Sequence, residues 1–167
     1  MATNKIYLAD GTTITWTDTG GTYAMDMGNL AAAAVRAGAQ GDLGASPRPR
    51  RYYWSFLCDG FTAASVVGET VLIYLAFGRS TTDIDGALTS SDVGSAVAVL
   101  PNLKWIGTAT VQTTVADDDL RVSGEIVIPS RYVTPVVWNN TTKIFKTTSD
   151  THIFRLTPIP PDIQAAA

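Results

Sequence analysis

The sequence is poor in charge and has few of the residues that build surface helices. Charged residues make up 16% of its 167 residues, against roughly 25% in an ordinary soluble domain. Glutamate occurs only as Glu69 and Glu125, and lysine is also scarce. Because Glu, Lys, Gln and Leu usually cover exposed helix faces, their scarcity argues against a helical fold. A charge-poor chain must also hide surface, and contact with a partner is one way to do so.

Cysteine and histidine are each present once, as Cys58 and His152, which excludes several kinds of chemistry. One cysteine cannot form an internal disulfide or a cysteine-based metal site. His152 alternates onto the same face as Phe154 and Leu156, which favours a structural role, and no G-x-S-x-G elbow is present. Phosphate-binding glycine loops are also missing. Since no set of acid, base and nucleophile can be assembled, we expect no enzyme.

Long apolar runs are absent as well. No stretch approaches the roughly 20 apolar residues of a membrane-spanning helix. The opening M-A-T-N-K-I-Y-L-A-D lacks the apolar run of a signal peptide, so we expect a protein made and used in soluble form. The net charge of -3 and the pI near 4.9 argue against nucleic acid as the main partner, which would require a basic footprint.

Residues that favour strands are abundant, and their alternation predicts an all-β fold. T-T-I-T-W-T places Ile14 and Trp16 on one face of a strand. Thr70 to Phe77 is apolar on both faces, which is typical of a central strand covered on each side. Turn pairs such as Asn139-Asn140 recur roughly every 8 to 12 residues, which favours a sandwich or a barrel. The other predicted strands are Lys5 to Leu8, Thr22 to Met27, Arg51 to Cys58, Lys104 to Val111, Leu120 to Ile128, Tyr132 to Trp138, Lys143 to Lys146 and Thr151 to Leu156.

Three segments break this rhythm. Residues 29–50 begin with alanines that allow one or two helical turns, but the following glycines prevent a long helix. Residues 78–95 predict a long surface loop, which is usually functional or ordered by a partner. Residues 158–167 contain prolines that lack a backbone donor, so we expect them to leave the sheet as a polyproline-like arm. The predicted organisation is one antiparallel β-sandwich over residues 1–157, with both loops inserted, followed by the arm.

The stretch Gly41 to Phe56 combines Arg48, Arg50 and Arg51 with prolines and aromatic residues. It can be an extended arm that enters a core strand, a set of cations that grip an acidic neighbouring subunit, or a surface that stacks bases and neutralises phosphates. Alternation sends the aromatic residues to one side, which favours the core strand. The first two interpretations are compatible with each other.

Carboxylates suggest two further sites. Asp83 and Asp85 begin like a calcium loop, but the third acid and the bidentate glutamate are missing. The Asp117–Asp119 run offers hard oxygen ligands, although a solvated hairpin tip is the simpler interpretation. Glycosidase chemistry needs two carboxylates across a cleft, and Glu69 and Glu125 lie in different segments. No metal or cofactor is therefore assigned.

Four stretches, spread over most of the chain, have a common character. They are L-A-D-G-T-T-I-T-W-T, G-E-T-V-L-I-Y-L-A-F-G-R-S, Y-V-T-P-V-V-W-N-N-T-T-K-I-F and F-R-L-T-P-I-P-P. Together with the predicted strands and loops, they resemble small structural proteins of tailed-bacteriophage virions, of the kind that decorate or cement a capsid. The resemblance is one of general sequence character and not of a diagnostic motif. It implies a jelly-roll or related β-sandwich, assembly in the host cytoplasm into a symmetric virion, no catalysis and no cofactor.

The partners that this resemblance implies are other copies of the chain and a major capsid protein or another virion protein. Obligate assembly would cover the strand edges that make a charge-poor β-domain prone to aggregate. We expect the arms to make the contacts. The candidate contact residues are Arg48, Arg50, Arg51, Pro158, Ile159, Pro160, Pro161 and Ile163.

The alternative is a carbohydrate-binding β-sandwich or a tail- or fibre-associated attachment protein. Exposed aromatic side chains in a shallow groove would bind the glycan. The candidates are Tyr23, Trp105 and Trp138.

Overall fold

The computed structural model describes residues 12–46, 48–116, 118–147 and 151–160, in which eleven strands form two sheets. The predicted strand Lys5 to Leu8 and the candidate contact residues Pro161 and Ile163 lie outside the described residues. No helix within the described ranges is long and apolar enough to cross a membrane.

The first sheet, sheet A, is built from strands that are distant in sequence. Its members are β1 (Ile14–Thr17), β2 (Tyr23–Ala24), β5 (Arg51–Asp59), β9 (Asp119–Val127) and β11 (Ile153–Ile159). Their order across the sheet is β2-β1-β11-β5-β9. All pairings are antiparallel except the short one between β1 and β2.

The second sheet, sheet B, packs against sheet A. Its members are β3 (Val35–Ala37), β4 (Gly41–Asp42), β6 (Thr70–Gly78), β7 (Val93–Ser95), β8 (Lys104–Thr110) and β10 (Tyr132–Asn140). The order is β7-β3-β10-β6-β8, and β4 also pairs with β10.

The connections between the sheets define a jelly roll. When the short β2, β4 and β7 are set aside, β1-β11-β5-β9 faces β3-β10-β6-β8. Each sheet therefore pairs early strands with late ones, and β6 and β8 are the only consecutive strands of these eight that share a sheet. This is the double Greek key of a jelly roll. The prediction of an all-β, antiparallel β-sandwich is confirmed.

One hydrophobic core fills the space between the sheets. Tyr52, Trp54, Phe56 and Cys58 alternate inward along β5 and are each 3% exposed or less. The Arg-rich stretch therefore leads into a core strand, as its alternation predicts. Each large apolar side chain that is buried in this way contributes roughly 1.5–3 kcal/mol. Other buried members of the core are Trp16, Ile73, Leu75, Val133, Val137, Phe154 and Leu156.

A second, smaller cluster covers part of the outer face of sheet B. Ala76 of β6 and Val136 of β10 are fully buried there beneath Ile84, Leu88 and Leu100. This explains why β6 is apolar on both faces, as the sequence predicts.

The segment 78–95 is therefore a packed cover and not a free surface loop. It contains a 3₁₀ turn, Asp85–Ala87, and the strand β7. Asp92 anchors it, because its carboxylate accepts hydrogen bonds from Arg36 Nε at 2.6 Å and from the Asp26 N–H at 2.8 Å. The sequence does not predict this role, because Ile84 and Leu88, the buried apolar residues of the segment, are single residues in a polar stretch.

The segment 29–50 is likewise part of the sandwich and not an insertion. Its β3 and β4 pair with β10, and Val35 and Ala37 are buried. The alanines form a turn and no helix, with Ala33 in a left-handed conformation at φ 58° and the Ala34 N–H bonded to the Ala31 carbonyl at 3.2 Å. The sequence does not predict β3 and β4 as strands, because strands of two or three residues are too short to show an alternation of apolar and polar side chains.

The predicted arm begins later than residue 158. Pro158 and Ile159 belong to β11, opposite Tyr52 and Arg51 of β5. The expectation that proline excludes this segment from the sheet is wrong. β1 pairs with β11 only as far as Leu156, so beside Pro158 the strand has one described neighbour, a position that tolerates proline. Pro160 follows the strand and is exposed.

Two other strand and turn predictions are wrong. Lys143 to Lys146 forms only an isolated bridge, between Phe145 and Phe61. Asn139 and Asn140 end β10 and do not form a hairpin turn. Asn139 is fully buried, and its Nδ2 donates to the carbonyl oxygens of Leu30, Ala31 and Lys143 at 3.0, 3.0 and 2.8 Å.

Candidate functional site

Three aromatic side chains converge on the outer face of sheet B. Strand pairing places Tyr74 of β6 opposite Trp105 of β8, and Trp138 of β10 opposite Leu72 of β6. Because side chains alternate along a strand, all three point away from the core. Together with the 3₁₀ helix Val97–Asn102 they line a groove of about 400 Å³, here called the aromatic groove. Its lining residues are Tyr74, Val97, Leu100, Pro101, Leu103, Trp105 and Trp138.

The aromatic groove is apolar but has polar atoms at its aromatic residues. Trp105 is 54% exposed, and its Nε1 donates to Thr108 Oγ1 at 3.3 Å. Burial raises the pKa of Tyr74, whose hydroxyl has no hydrogen-bond partner among the described residues. Trp138 Nε1 is buried without an acceptor in the described part of the chain. Among the described residues, no charged side chain lines the groove.

Of the aromatic candidates from the sequence, Trp105 and Trp138 come together and Tyr23 does not join them. Tyr23 stacks on Trp16 with ring centroids 5.5 Å apart, and its hydroxyl accepts a hydrogen bond from the Asp42 N–H at 2.9 Å. Tyr74 was not predicted as a groove residue, because β6 is apolar on both faces and its sequence does not show which part of either face is left exposed to solvent.

A second candidate surface lies where three loops meet at one end of the sandwich. The β5–β6 loop bonds to both of the others: the Phe61 N–H donates to the Ala116 carbonyl at 2.7 Å, and the Thr62 N–H donates to the Ile144 carbonyl at 2.9 Å. These bonds join it to the β8–β9 and β10–β11 loops. The three loops therefore form one fixed surface.

That surface carries apolar side chains which the core does not use. Val66 and Val67 are 52% and 57% exposed, Val115 is 54% exposed and Ile144 is 41% exposed. We call these four residues the apolar loop end. Clustered exposed apolar residues are typical of contact surfaces for other proteins. The sequence does not predict this surface, because valine and isoleucine are equally typical of buried strands.

The arginines of the stretch Gly41 to Phe56 have different roles. Arg48 donates to the carbonyl oxygens of Pro49 and Pro129, both at 3.1 Å, and so holds the loop to its own domain. Arg50 is exposed and has no ion pair among the described residues. The contact of these arginines with a neighbouring subunit stays a prediction.

The glutamates make separate structural contacts. Arg51 Nη2 and Glu125 Oε2 are 2.6 Å apart on the outer face of sheet A, with both side chains more than half exposed. Glu69 accepts a hydrogen bond from the Thr142 N–H at 2.9 Å and so joins two loops at the apolar loop end.

The aspartates that suggested calcium do not gather into a ligand set in the described ranges, where no three His, Cys, Asp or Glu side chains come together. Asp85 accepts a hydrogen bond from the Phe77 N–H, and Asp118 accepts one from the Thr113 N–H. Asp119 pairs with Arg121 at 3.1 Å. Asp117 lies outside the described residues.

His152 and Cys58 are buried components of the core. The His152 Nδ1 accepts a hydrogen bond from the Asp59 N–H at 3.1 Å, which leaves Nε2 to donate to the Lys146 carbonyl at 3.0 Å. Burial lowers the pKa of His152, so the neutral ring is favoured. Burial raises the pKa of the Cys58 thiol above its usual range, which leaves it unreactive.

Comparisons with known proteins do not place the chain in a family. No family model matches it, and no curated protein matches it significantly. A solved structure of Clostridium thermocellum, the CBM22-1–GH10 modules of endo-1,4-β-D-xylanase 10B complexed with xylohexaose, is 15% identical with a TM-score of 0.31. The match covers 95% of this chain and 26% of that one, so this chain spans about a quarter of that protein's length.

Proposed function

We propose that the protein is a non-enzymatic structural component of a phage virion, which decorates or stabilises the capsid through subunit contacts. The resemblance of the sequence to such proteins and the jelly-roll architecture support this proposal, because viral capsid domains are a common use of the jelly roll. The expected partners are other copies of the chain and a major capsid or other virion protein.

The apolar loop end is the observation that carries the proposal. Its four aliphatic side chains lie on three loops that are bonded to one another, so little conformational entropy is lost when a partner covers them. A compact monomer gains nothing by exposing them together. A partner that buries them removes apolar area from water, at roughly 25 cal/mol per Å².

The arms add peripheral contacts. Arg50 is an exposed cation that can pair with an acidic neighbour, while Arg48 is committed to its own loop. Pro160 is the described start of the segment that leaves β11. The contacts of Pro161 and Ile163 belong to the same prediction and lie outside the described residues.

The test is sedimentation with assembled shells of the major capsid protein encoded in the same genome. We expect the wild-type chain to pellet with the shells in a fixed ratio. The double variant Val66→Asp/Val67→Asp should stay in the supernatant, because a charge cannot be buried unpaired at an interface. Val127→Asp, at an equally exposed valine of β9, is the matched control and should pellet.

A second variant tests the arm without touching the sheet. Removal of residues 161–167 leaves β11 complete, since that strand ends at Ile159. We expect weaker pelleting with an unchanged far-UV circular dichroism spectrum. A wild-type chain that remains a monomer and does not pellet would refute the proposed function.

A further inference from the structure

The outer face of sheet B is only partly covered. The second cluster buries Ala76 and Val136, but its cover ends at the aromatic groove, where Trp105 remains 54% exposed. The uncovered part of the face presents three adjacent aromatic side chains, because Trp105 lies beside the half-buried Tyr74 and Trp138.

The rows of side chains across this face contain no charge. One row is Asn140, Thr70 and Thr110, which are opposite one another on β10, β6 and β8. The next two rows hold the aromatic residues, with Thr108 opposite Leu72. The face therefore passes from a strip of hydroxyl and amide groups to a platform of aromatic rings.

We infer that the aromatic groove, with the adjoining polar strip, is a binding site for an uncharged carbohydrate chain. A sugar ring has apolar C–H faces and a rim of hydroxyl groups, which match aromatic faces flanked by uncharged donors and acceptors. Pockets that orient small ligands are lined in this way, mostly by apolar and aromatic side chains with a few placed polar groups. The groove volume of about 400 Å³ also falls within the range of about 300–1,000 Å³ for such pockets.

Polar atoms in the groove are available to sugar hydroxyls. Within the described ranges the Tyr74 hydroxyl has no partner, and in the polar strip the one recorded bond of Asn140 Nδ2 is to Thr70 Oγ1, at 3.2 Å. Trp138 Nε1 is buried, so Trp138 contributes its ring to the groove and not its donor.

The composition of the groove disfavours the other ligand classes. Nucleic acid and anionic glycans require lysine or arginine against their charges, and neither lines the groove in the described part of the chain. The apolar loop end, which the proposed function assigns to protein contacts, lies on the loops beyond Thr70 and shares no residue with the groove.

A glycan array of neutral and anionic oligosaccharides tests the inference, followed by calorimetric titration of the neutral oligosaccharide with the strongest signal. We expect signals confined to neutral glycans. Trp105→Ala should lower the affinity for that oligosaccharide at least about tenfold. Because Trp105 is mostly exposed, this variant should keep its circular dichroism spectrum. Tyr53→Ala, which removes a 45% exposed aromatic side chain from the outer face of sheet A, is the matched control and should bind like the wild type.

An array that is blank for neutral glycans, or a Trp105→Ala variant that binds as tightly as the wild type, would overturn the inference. A change of oligomeric state in Trp105→Ala without glycan binding would also overturn it and would assign the groove to contacts between copies. Failure here is distinguishable from failure of the proposed function. The Val66→Asp/Val67→Asp variant should lose shell binding and keep glycan binding, whereas Trp105→Ala should do the reverse.

Discussion

Replacing Asn139 with alanine should destabilise the protein by about 3 kcal/mol. From the sequence alone, Asn139 and Asn140 are a turn pair, in which a substitution would cost little. The Asn139 amide joins three segments, since Nδ2 donates to the carbonyl oxygens of Leu30, Ala31 and Lys143. Its Oδ1 accepts from the Thr141 hydroxyl at 2.7 Å. Two amide hydrogens serve the three carbonyl oxygens, so one hydrogen is shared.

The magnitude follows from what the neighbours keep. The Leu30 carbonyl still accepts from the Phe145 N–H, and the Ala31 carbonyl still accepts from the Ala34 N–H. The Thr141 hydroxyl still reaches the Lys143 carbonyl at 3.1 Å. Only the Thr141 N–H, which donates to Asn139 Oδ1 at 3.3 Å, is left without an acceptor among the described residues. The loss is therefore about three net hydrogen bonds of roughly 1 kcal/mol each, plus a small cavity term.

Urea unfolding of three variants at two pH values is the assay. Asn140→Ala, at the exposed neighbour, should change the free energy of unfolding by no more than about 0.5 kcal/mol. Asn139→Asp should be less stable than Asn139→Ala near pH 8, because a carboxylate would face three carbonyl oxygens. Burial against these carbonyl oxygens raises the folded-state pKa of that carboxyl above its unfolded value, so its destabilisation should diminish as the pH falls.

Two results would refute this reasoning. One is an Asn139→Ala variant within about 0.5 kcal/mol of the wild type. The other is an Asn139→Asp variant whose stability does not improve on acidification relative to the wild type. The wild type should remain folded throughout, since a stability of about 5–15 kcal/mol is typical of domains.

Two further predictions concern the core. Burial lowers the pKa of His152 in the folded protein below the value of about 6.5 for a histidine in the unfolded chain. Below that pH the unfolded chain therefore binds more protons than the folded protein. The free energy of unfolding should decrease as the pH falls through about 6.5, by at most about 1.4 kcal/mol per pH unit. Unfolding measured at pH 7.5 and 5.5 should show a steeper loss for the wild type than for His152→Gln, and equal slopes would contradict the role of the histidine. Gly107→Ala should destabilise by about 1–3 kcal/mol, since its Cβ would lie 2.5 Å from Cη2 and 2.9 Å from Cζ2 of Trp54. Thermal unfolding of both variants is the measurement, and Gly94→Ala, whose Cβ would meet nothing within 4 Å, should be nearly neutral. A Gly107→Ala variant as stable as this control would contradict the close packing of Trp54 against Gly107.

Local patterns were sufficient to predict the long strands. β5 and β9 each contain nine residues, so the alternation of their apolar side chains is repeated several times, and β6 is a continuous apolar run of strand-forming residues. The scarcity of glutamate and lysine further predicted that the fold would not be helical. These are local properties of the chain, because the side a residue faces depends only on its position in its own strand.

The candidate surfaces depended on contacts that no local pattern contains. Trp105 and Trp138 were recognised as candidates, but their meeting with Tyr74 required three strands to pair in one register. The apolar loop end required hydrogen bonds between loops that are separated by many residues. Tyr23 has the same aromatic character, yet pairing of β2 with β1 stacks it on Trp16.

By itself the sequence determined that this protein is an all-β sandwich, that the strand beginning at Arg51 turns one face to the core, and that its histidine is structural. Only the tertiary structure decided that β3 and β4 join sheet B, that Pro158 stays in β11 and that Asn139 is a buried hydrogen-bonding centre. The physical reason is distance along the chain. Ile14 pairs with Leu156, and Asn139 binds Leu30, so the environments of these residues are set by segments that fold against them from the other end of the sequence.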